Sequence, residues 1–269
     1  MTVLGISSIY KYPKSAVAAI KEAVTLGFRH VNIFAYPPHF KDDSEEFLAK
    51  VKKILFDYGI DCSLKIQGYT INIVATNPNL RKKSIDEVKY YIDVAAKLDC
   101  PRIILRAGMF FYAERAFKEV TYRRLIKTLR EIINQANENG IDVYIENYPY
   151  PFDIVVLPSD FYRLYRDIRA RVFMALNIPH LYDIYTSRPI GIISDIGTTH
   201  SLIKIVYISE YMNPWDYPHR LSPEKYDEYF EMTKKIIKKI GKVELEVVII
   251  IGYNSDDVIK TRDWYIENL

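Results

Sequence analysis

Eight short apolar runs, each followed by a stretch with helical spacing, constrain this chain more than any other feature. The strand-like runs are Thr2–Ile9, His30–Tyr36, Cys62–Val74 (a strand with an extended loop), Arg102–Arg106, Asp142–Asn147, Arg171–Asn177, Ile203–Ser209 and Leu245–Ile251. The helix-like stretches are Ser15–Leu26, Ser44–Tyr58, Ser84–Leu98, Thr121–Asn139, Pro158–Ile168, a weak one over Tyr182–Ile196, Pro223–Ile240 and Asp256–Asn268. Gly27, Gly59, Gly140 and Gly241 supply helix stops, and Ser84 with Glu87 three residues on matches a capping box. The strands read as continuous apolar runs, as a parallel sheet covered on both faces requires. Regular alternation of such strands with helices predicts an α/β chain closed into an eight-stranded (β/α)8 TIM barrel. An open, doubly wound sheet is the alternative. It is disfavoured because no glycine-rich phosphate loop follows any strand.

The length of 269 residues suits one such barrel, for which about 250 residues is usual. No Pro/Gly/Ser-rich linker divides the chain, so residues 1–269 read as a single barrel domain. Hydrophobic residues make up 49% of the sequence, enough for a large core. The 37 basic and 34 acidic residues are mixed and leave a net charge of +3. That balance gives no electrostatic footprint for nucleic acid. No apolar run approaches the roughly 18–20 residues that span a membrane. Met1–Tyr10 lacks a signal-peptide layout, so a cytoplasmic location is expected.

Cys62 and Cys100 are the only cysteines, and two reduced, buried thiols are the plain reading in that compartment. A sharper reading is a disulfide. Asp61-Cys62 and Asp99-Cys100 open consecutive strands, and neighbouring strands lie about 4.8 Å apart. The 23 tyrosines, abundant Lys, Glu and Ile, and only two glutamines (Gln67, Gln135) point to a thermophile, where such bridges occur inside cells.

In a barrel of this type the chemistry lies at the C-terminal ends of the strands. Strand five ends in Glu146-Asn147-Tyr148, strand six in Asn177-Ile178-Pro179-His180, and strand seven in Tyr207-Ile208-Ser209-Glu210. Strand four ends in Arg106, and the loop after strand seven holds Asp216 and His219. Glu146 and His180 are the catalytic candidates, with Arg106, Asn177, Tyr207 and Glu210 as substrate contacts. The plain alternative for Glu146 is an ion pair inside the mouth, with Arg106 as partner, because a buried carboxylate needs one. His30 and His200 fall near the N-terminal ends of strands and read as structural. His39 reads as a surface-loop residue. Tyr148, Tyr150, Phe152, Tyr207, Tyr211, Trp215 and Tyr217 make the mouth aromatic, suited to stacking on rings or to packing between loops.

The order of elements resembles the xylose-isomerase-like barrels, which include sugar isomerases, sugar epimerases and metal-dependent apurinic endonucleases. GFRHVNI resembles that family's second strand, VYIENYP its Ile-Glu-Asn fifth strand, and ALNIPHLY its Leu-Asp-x-x-His-Leu sixth strand. The resemblance covers nearly the whole chain and implies a divalent metal (Mg, Mn or Zn). Glu146 matches its strand-five ligand and His180 the histidine after strand six. The remaining ligand positions depart: Asn177 stands for an Asp, Tyr207 for a His and Gly252 for the strand-eight Glu; the family's strand-two Glu is also replaced, by Asn32. A relocated metal set of Glu146, His180, Asp216 and His219 is the form in which a metal could be kept. It borrows the loop after strand seven, where the endonucleases carry an Asp-x-His pair.

The resemblance implies isomerase or epimerase activity on a small sugar or sugar phosphate, with a carbohydrate as the partner and the metal either retained or lost. A non-catalytic barrel that binds a small molecule or a protein is the second expectation. An endonuclease role is disfavoured by only five histidines, two of them on the wrong face, and by the near-neutral charge.

Overall fold

The computed structural model describes residues 2–11, 15–36, 39–40, 44–66, 70–110, 117–187, 191–212, 219–241 and 244–269. Eight parallel strands close into a barrel: β1 (Val3–Ser7), β2 (His30–Ala35), β3 (Asp61–Ile66), β4 (Arg102–Arg106), β5 (Asp142–Glu146), β6 (Phe173–Asn177), β7 (Ile203–Ser209) and β10 (Val247–Ile251), which returns to β1. A two-stranded antiparallel ribbon, β8 (Tyr211–Met212) with β9 (His219–Arg220), leaves the end of β7. The alternation read from the sequence is therefore that of a (β/α)8 TIM barrel, and the open sheet is excluded by the β1–β10 pairing.

The outer layer consists of α1 (Ala16–Thr25), α2 (Glu45–Tyr58), α3 (Pro78–Lys97), α4 (Lys118–Glu138), α5 (Pro158–Ile168), α6 (Ile178–Ser187), α7 (Ile192–Thr199), α8 (Pro223–Ile240) and α9 (Ser255–Asn268). Helix α4 shows why they dock. Leu125, Leu129, Ile132, Ile133 and Ala136 recur at three- and four-residue spacing and are buried. Each of the larger side chains contributes about 1.5–3 kcal/mol by leaving water. No helix among the described residues is long and apolar enough to cross a membrane.

The helical layer differs most from expectation in three places. Helix α3 begins at Pro78, not Ser84: the Asn77 side chain accepts from the N–H groups of Asn79 and Leu80, and Pro78 starts the first turn. Ser84 lies buried inside the helix and instead accepts the Asn72 N–H. Helix α4 starts three residues earlier than Thr121. The weak crossover before β7 is two helices, α6 and α7, of which α6 follows β6 directly.

Strand alternation sorts the side chains into two layers. Cys62, Leu64 and Ile66 of β3 pack outward in the core between barrel and helices. Ser63 and Lys65 point inward. A second, smaller apolar cluster of Ile104, Tyr144, Ala175, Ile205, Tyr207, Val247, Ile249 and Ile251 fills one side of the barrel. The other side is polar. At the N-terminal end Arg102 binds Asp61 at 2.6 Å and Glu246 at 3.1 Å, and Tyr144 donates to Glu246 at 2.8 Å. Above this, His30 bonds Asp61 at 3.1 Å and Ser63 at 2.9 Å, and Asn32 donates to Ser63 at 2.8 Å. His30 thus has the structural setting expected for it.

Candidate functional site

The polar column ends at the C-terminal face in a buried charged cluster centred on Glu146, the last residue of β5. Lys65 Nζ lies 2.5 Å from Glu146 Oε2, and both side chains are 1% exposed. Asn177 Nδ2 donates to the other oxygen, Oε1, at 2.9 Å. An ammonium in ion-pair contact and an amide hydrogen bond thus face the two oxygens of one carboxylate, and a charge in a low-dielectric interior needs such company. The ammonium also faces rings: it lies 4.8 Å from the centroid of Tyr207 and 5.9 Å from those of Tyr148 and Phe34. Such contacts favour a cation that has lost water. Tyr207 is fully buried and donates to Asn32 Oδ1 at 3.4 Å, which ties the cluster to the column below.

Backbone geometry fixes the rim between β5 and β6. Asn147 accepts the Asn177 N–H on Oδ1 at 2.7 Å and donates through Nδ2 to the Asn177 carbonyl at 3.2 Å. Asn177 Oδ1 accepts the His180 N–H at 3.1 Å, the geometry of a helix N-cap on α6. His180 is fully buried, and its Nδ1 lies 2.9 Å from the Asn147 carbonyl. A carbonyl can only accept, so Nδ1 carries the proton and Nε2 presents a lone pair. Nε2 has no hydrogen-bond partner among the described residues. Burial, with help from the positive charges of Lys65 and Arg106, pushes the imidazole down to about 3, so it is neutral at pH 7.

Arg106 stands opposite Glu146 in the β4–β5 register, the neighbour that the ion-pair alternative for Glu146 named. Arg106 Nε binds Asp153 Oδ1 at 2.5 Å, with both side chains nearly buried, and the guanidinium lies 4.4 Å from the Tyr148 ring centroid. Glu146 is held by Lys65 instead. Burial lifts the Asp153 carboxyl to about 6, against the lowering effect of Arg106. Asp153 also lines a cavity of about 340 Å³ beside the mouth, with Phe110, Lys118, Tyr122 and Arg163.

Glu146, Asn177, His180, Tyr207 and Arg106 thus gather at one end of the barrel. Glu210 does not join them: it pairs with Lys260 of α9 at 3.2 Å and accepts from Tyr226 of α8 at 3.4 Å. It follows β7 by one residue, which turns it outward. Asp216 lies outside the described residues, as do Trp215 and Tyr217. His219 is described only through its backbone, paired with Met212 in the ribbon. His39 is buried, not a surface-loop residue: Nε2 bonds the Ser8 carbonyl at 2.9 Å and ties the β2–α2 loop to the turn that follows β1. His200 is exposed, ahead of β7, and bonds the Gly197 carbonyl.

The donors among the described residues do not make a site for the divalent metal that the family resemblance implies, and the relocated set with Asp216 and His219 lies partly outside those residues. Among the described residues no three His, Cys, Asp or Glu side chains are grouped to hold an ion. The Glu146 oxygens face an ammonium and an amide N–H₂, both donors. A phenol, Tyr207, stands where a histidine would. Gly252 faces away from the barrel: a Cβ there would lie 2.6 Å from Val258 Cγ2 of α9. The inward residue at that level is Ile251. A hard cation needs several anionic or neutral oxygens, and one carboxylate already neutralised is not such a set.

Lys65, Asp153 and Asn147 are absent from the sequence-based candidates. Lys65 carried a readable signal, a charge in the middle of the otherwise apolar half of a strand, Leu64-Lys65-Ile66. Such a residue must find a counter-charge when the strand is buried.

Residues 20–246 match the family described as "Xylose isomerase-like TIM barrel". An uncharacterized protein of Methanocaldococcus jannaschii is 25% identical over 212 residues, 79% of this chain and 77% of that protein. Fructoselysine 3-epimerase of Shigella flexneri is 25% identical over 148 residues, 53% of each chain, so the match spans about half of that enzyme. A solved D-tagatose 3-epimerase-like protein superposes with a TM-score of 0.80 at 15% identity, covering 99% of this chain and 97% of that one. The match over most of the chain agrees with the closed eight-stranded barrel: this protein belongs to the xylose isomerase-like TIM barrel family.

Proposed function

We propose that the mouth of the barrel takes a small carbohydrate and that the chain is a sugar isomerase/epimerase-type protein, with Glu146 and His180 as its acid/base groups. The observation that carries this reading is His180 Nε2. A fully buried, neutral imidazole with an unpartnered Nε2 lone pair is tied at its backbone N–H to Asn177, the same side chain that donates to Glu146, at the C-terminal end of the barrel. Proton transfer next to a sugar carbonyl needs two such groups, one to take the proton and one to return it. Arg106, Asn177 and Tyr207 supply polar contacts for hydroxyl groups, and Tyr148 an apolar face. The substrates named for the relatives, fructoselysine and D-tagatose, make ketoses the first class to test.

The test is proton exchange in D₂O. The protein is incubated with D-tagatose or fructoselysine, and the C–H beside the carbonyl is followed by ¹H NMR. Signal loss with wild type, abolished in Glu146→Gln and in His180→Gln, is the expected result. A second reading, a binding barrel without turnover, is favoured by the neutralisation of Glu146 by Lys65. It predicts that a sugar raises the melting temperature with no exchange. Neither exchange nor stabilisation across ketoses and their epimers would overturn both readings.

A further inference from the structure

We infer that the ammonium of Lys65 is the built-in cation of this site, standing at Glu146 where a complete donor set would hold a divalent metal. The inference rests on the reading of the mouth as the functional site, but not on which ligand it takes. Three observations carry it. Lys65 reaches Glu146 from the inward face of β3, and the pair is 1% exposed, so the contact is part of the barrel interior and not a surface accident. Glu146 Oε2 faces this ammonium while Oε1 faces the Asn177 amide, so both oxygens are directed at donors. The rings of Tyr207, Tyr148 and Phe34 surround the ammonium at 4.8–5.9 Å, a setting that suits an organic cation. A hydrated metal ion would need oxygen or nitrogen ligands in those directions.

The substitutions form one coherent set. An Asn at position 177 donates to Glu146, which the ligand-type Asp could not do. Tyr207 offers a π face to the ammonium where a histidine would offer a metal ligand. With Lys65 the cluster of Lys65, Arg106, Glu146 and Asp153 pairs two cations with two carboxylates, so no further positive charge is needed for neutrality. In such a site the ammonium supplies the positive charge to a ligand oxygen, through hydrogen bonds that a point-charge donor with three N–H groups can make.

The experiment titrates Mn²⁺ into the protein and follows free Mn²⁺ by electron paramagnetic resonance, with no sugar present. Wild type and Glu146→Gln are expected to leave the same free signal. Lys65→Ala is expected to take up Mn²⁺ about tenfold more tightly than wild type or better, because a like charge beside the site has gone. Lys65→Ala/Glu146→Gln is expected to lose that gain. Mn²⁺ uptake by wild type that Glu146→Gln removes would overturn the inference, since metal and ammonium would then share the site. A Lys65→Ala protein that binds no more Mn²⁺ than wild type would overturn it as well. Lys65→Gln, which keeps most of the side chain, replaces the alanine variant should that fail to fold. Because no carbohydrate enters the assay, its outcome is separate from that of the exchange test above.

Discussion

Asn177 holds Glu146 with one end of its amide and starts α6 with the other. Nδ2 donates to Glu146 Oε1 at 2.9 Å, while Oδ1 accepts the His180 N–H at 3.1 Å. An amide can donate at one end and accept at the other, whereas an ionised carboxylate can only accept. An Asp at 177 would keep the cap but turn a second carboxylate on Glu146. Asn177→Asp is therefore expected to lose about 3 kcal/mol of stability at pH 7, from the lost charged hydrogen bond and the new buried charge. Asn177→Ser keeps a cap acceptor and is expected to lose less. Urea unfolding of the three proteins checks this; equal losses would mean that charge repulsion plays no part.

Two buried groups give stability pH dependences of opposite sign. The His180 imidazole is held down to about 3, below its ordinary value, so the unfolded chain binds its proton first. Its contribution is complete above about pH 6.5 and is lost as pH falls toward 3, on the order of 5 kcal/mol in all. The Asp153 carboxyl is lifted to about 6, so the folded chain binds its proton first. From that group stability increases as pH falls from about 6 to about 4, by about 3 kcal/mol. Relative to wild type, His180→Gln should gain stability on acidification from pH 7 to 4, and Asp153→Asn should lose it. Unfolding free energies at pH 7, 5.5 and 4 decide the signs.

What the sequence disclosed, and what it hid, follows from the range of the interactions. The barrel was legible because each buried parallel strand is a local apolar run, and Glu146 was legible as a charge at the end of one. Asn177 and His180 lay in a short segment that is read together. The Lys65–Glu146 pair joins β3 to β5 across the interior, and no local pattern records which inward residue meets which. Arg106 was the natural partner by strand neighbourhood, since it lies directly beside Glu146 in register. Asp153, in the loop after β5, takes it instead. For α3, Ser84 mimics a cap in sequence, while the true cap is Asn77, the first residue of the Asn77-Pro78 step that opens the helix.

Cys62 in β3 and Cys100, two residues ahead of β4, are buried free thiols, so the disulfide reading is not the state of this structure. The neighbouring Cys100 thiol and burial hold Cys62 well above its ordinary value, which suppresses the reactive thiolate. Cys100 Sγ lies 3.6 Å from the Arg102 carbonyl. Both thiols should react slowly with a chromogenic disulfide reagent in native protein and rapidly in guanidinium, as both are only 2% exposed. Intact mass should be the same with and without reductant; a difference of two hydrogens would mean that the bridge forms in solution.

Gly252 marks where β10 hands over to α9, and its missing side chain is a packing requirement. A Cβ at 252 would lie 2.6 Å from Val258 Cγ2 and 3.3 Å from the Val258 nitrogen. Val258 is fully buried and belongs to the main core, so it has little room to retreat. Gly252→Ala is therefore expected to cost about 1–3 kcal/mol through overpacking. The double variant Gly252→Ala/Val258→Ala should lose less than the sum of the two single losses, because the smaller residue vacates the space that the new methyl needs. Additive losses in denaturant unfolding would show that the 252–258 contact is not the cause. The same contact explains why a ligand-type glutamate has no place here: a side chain at 252 would enter the helix interface, away from Glu146 and Lys65.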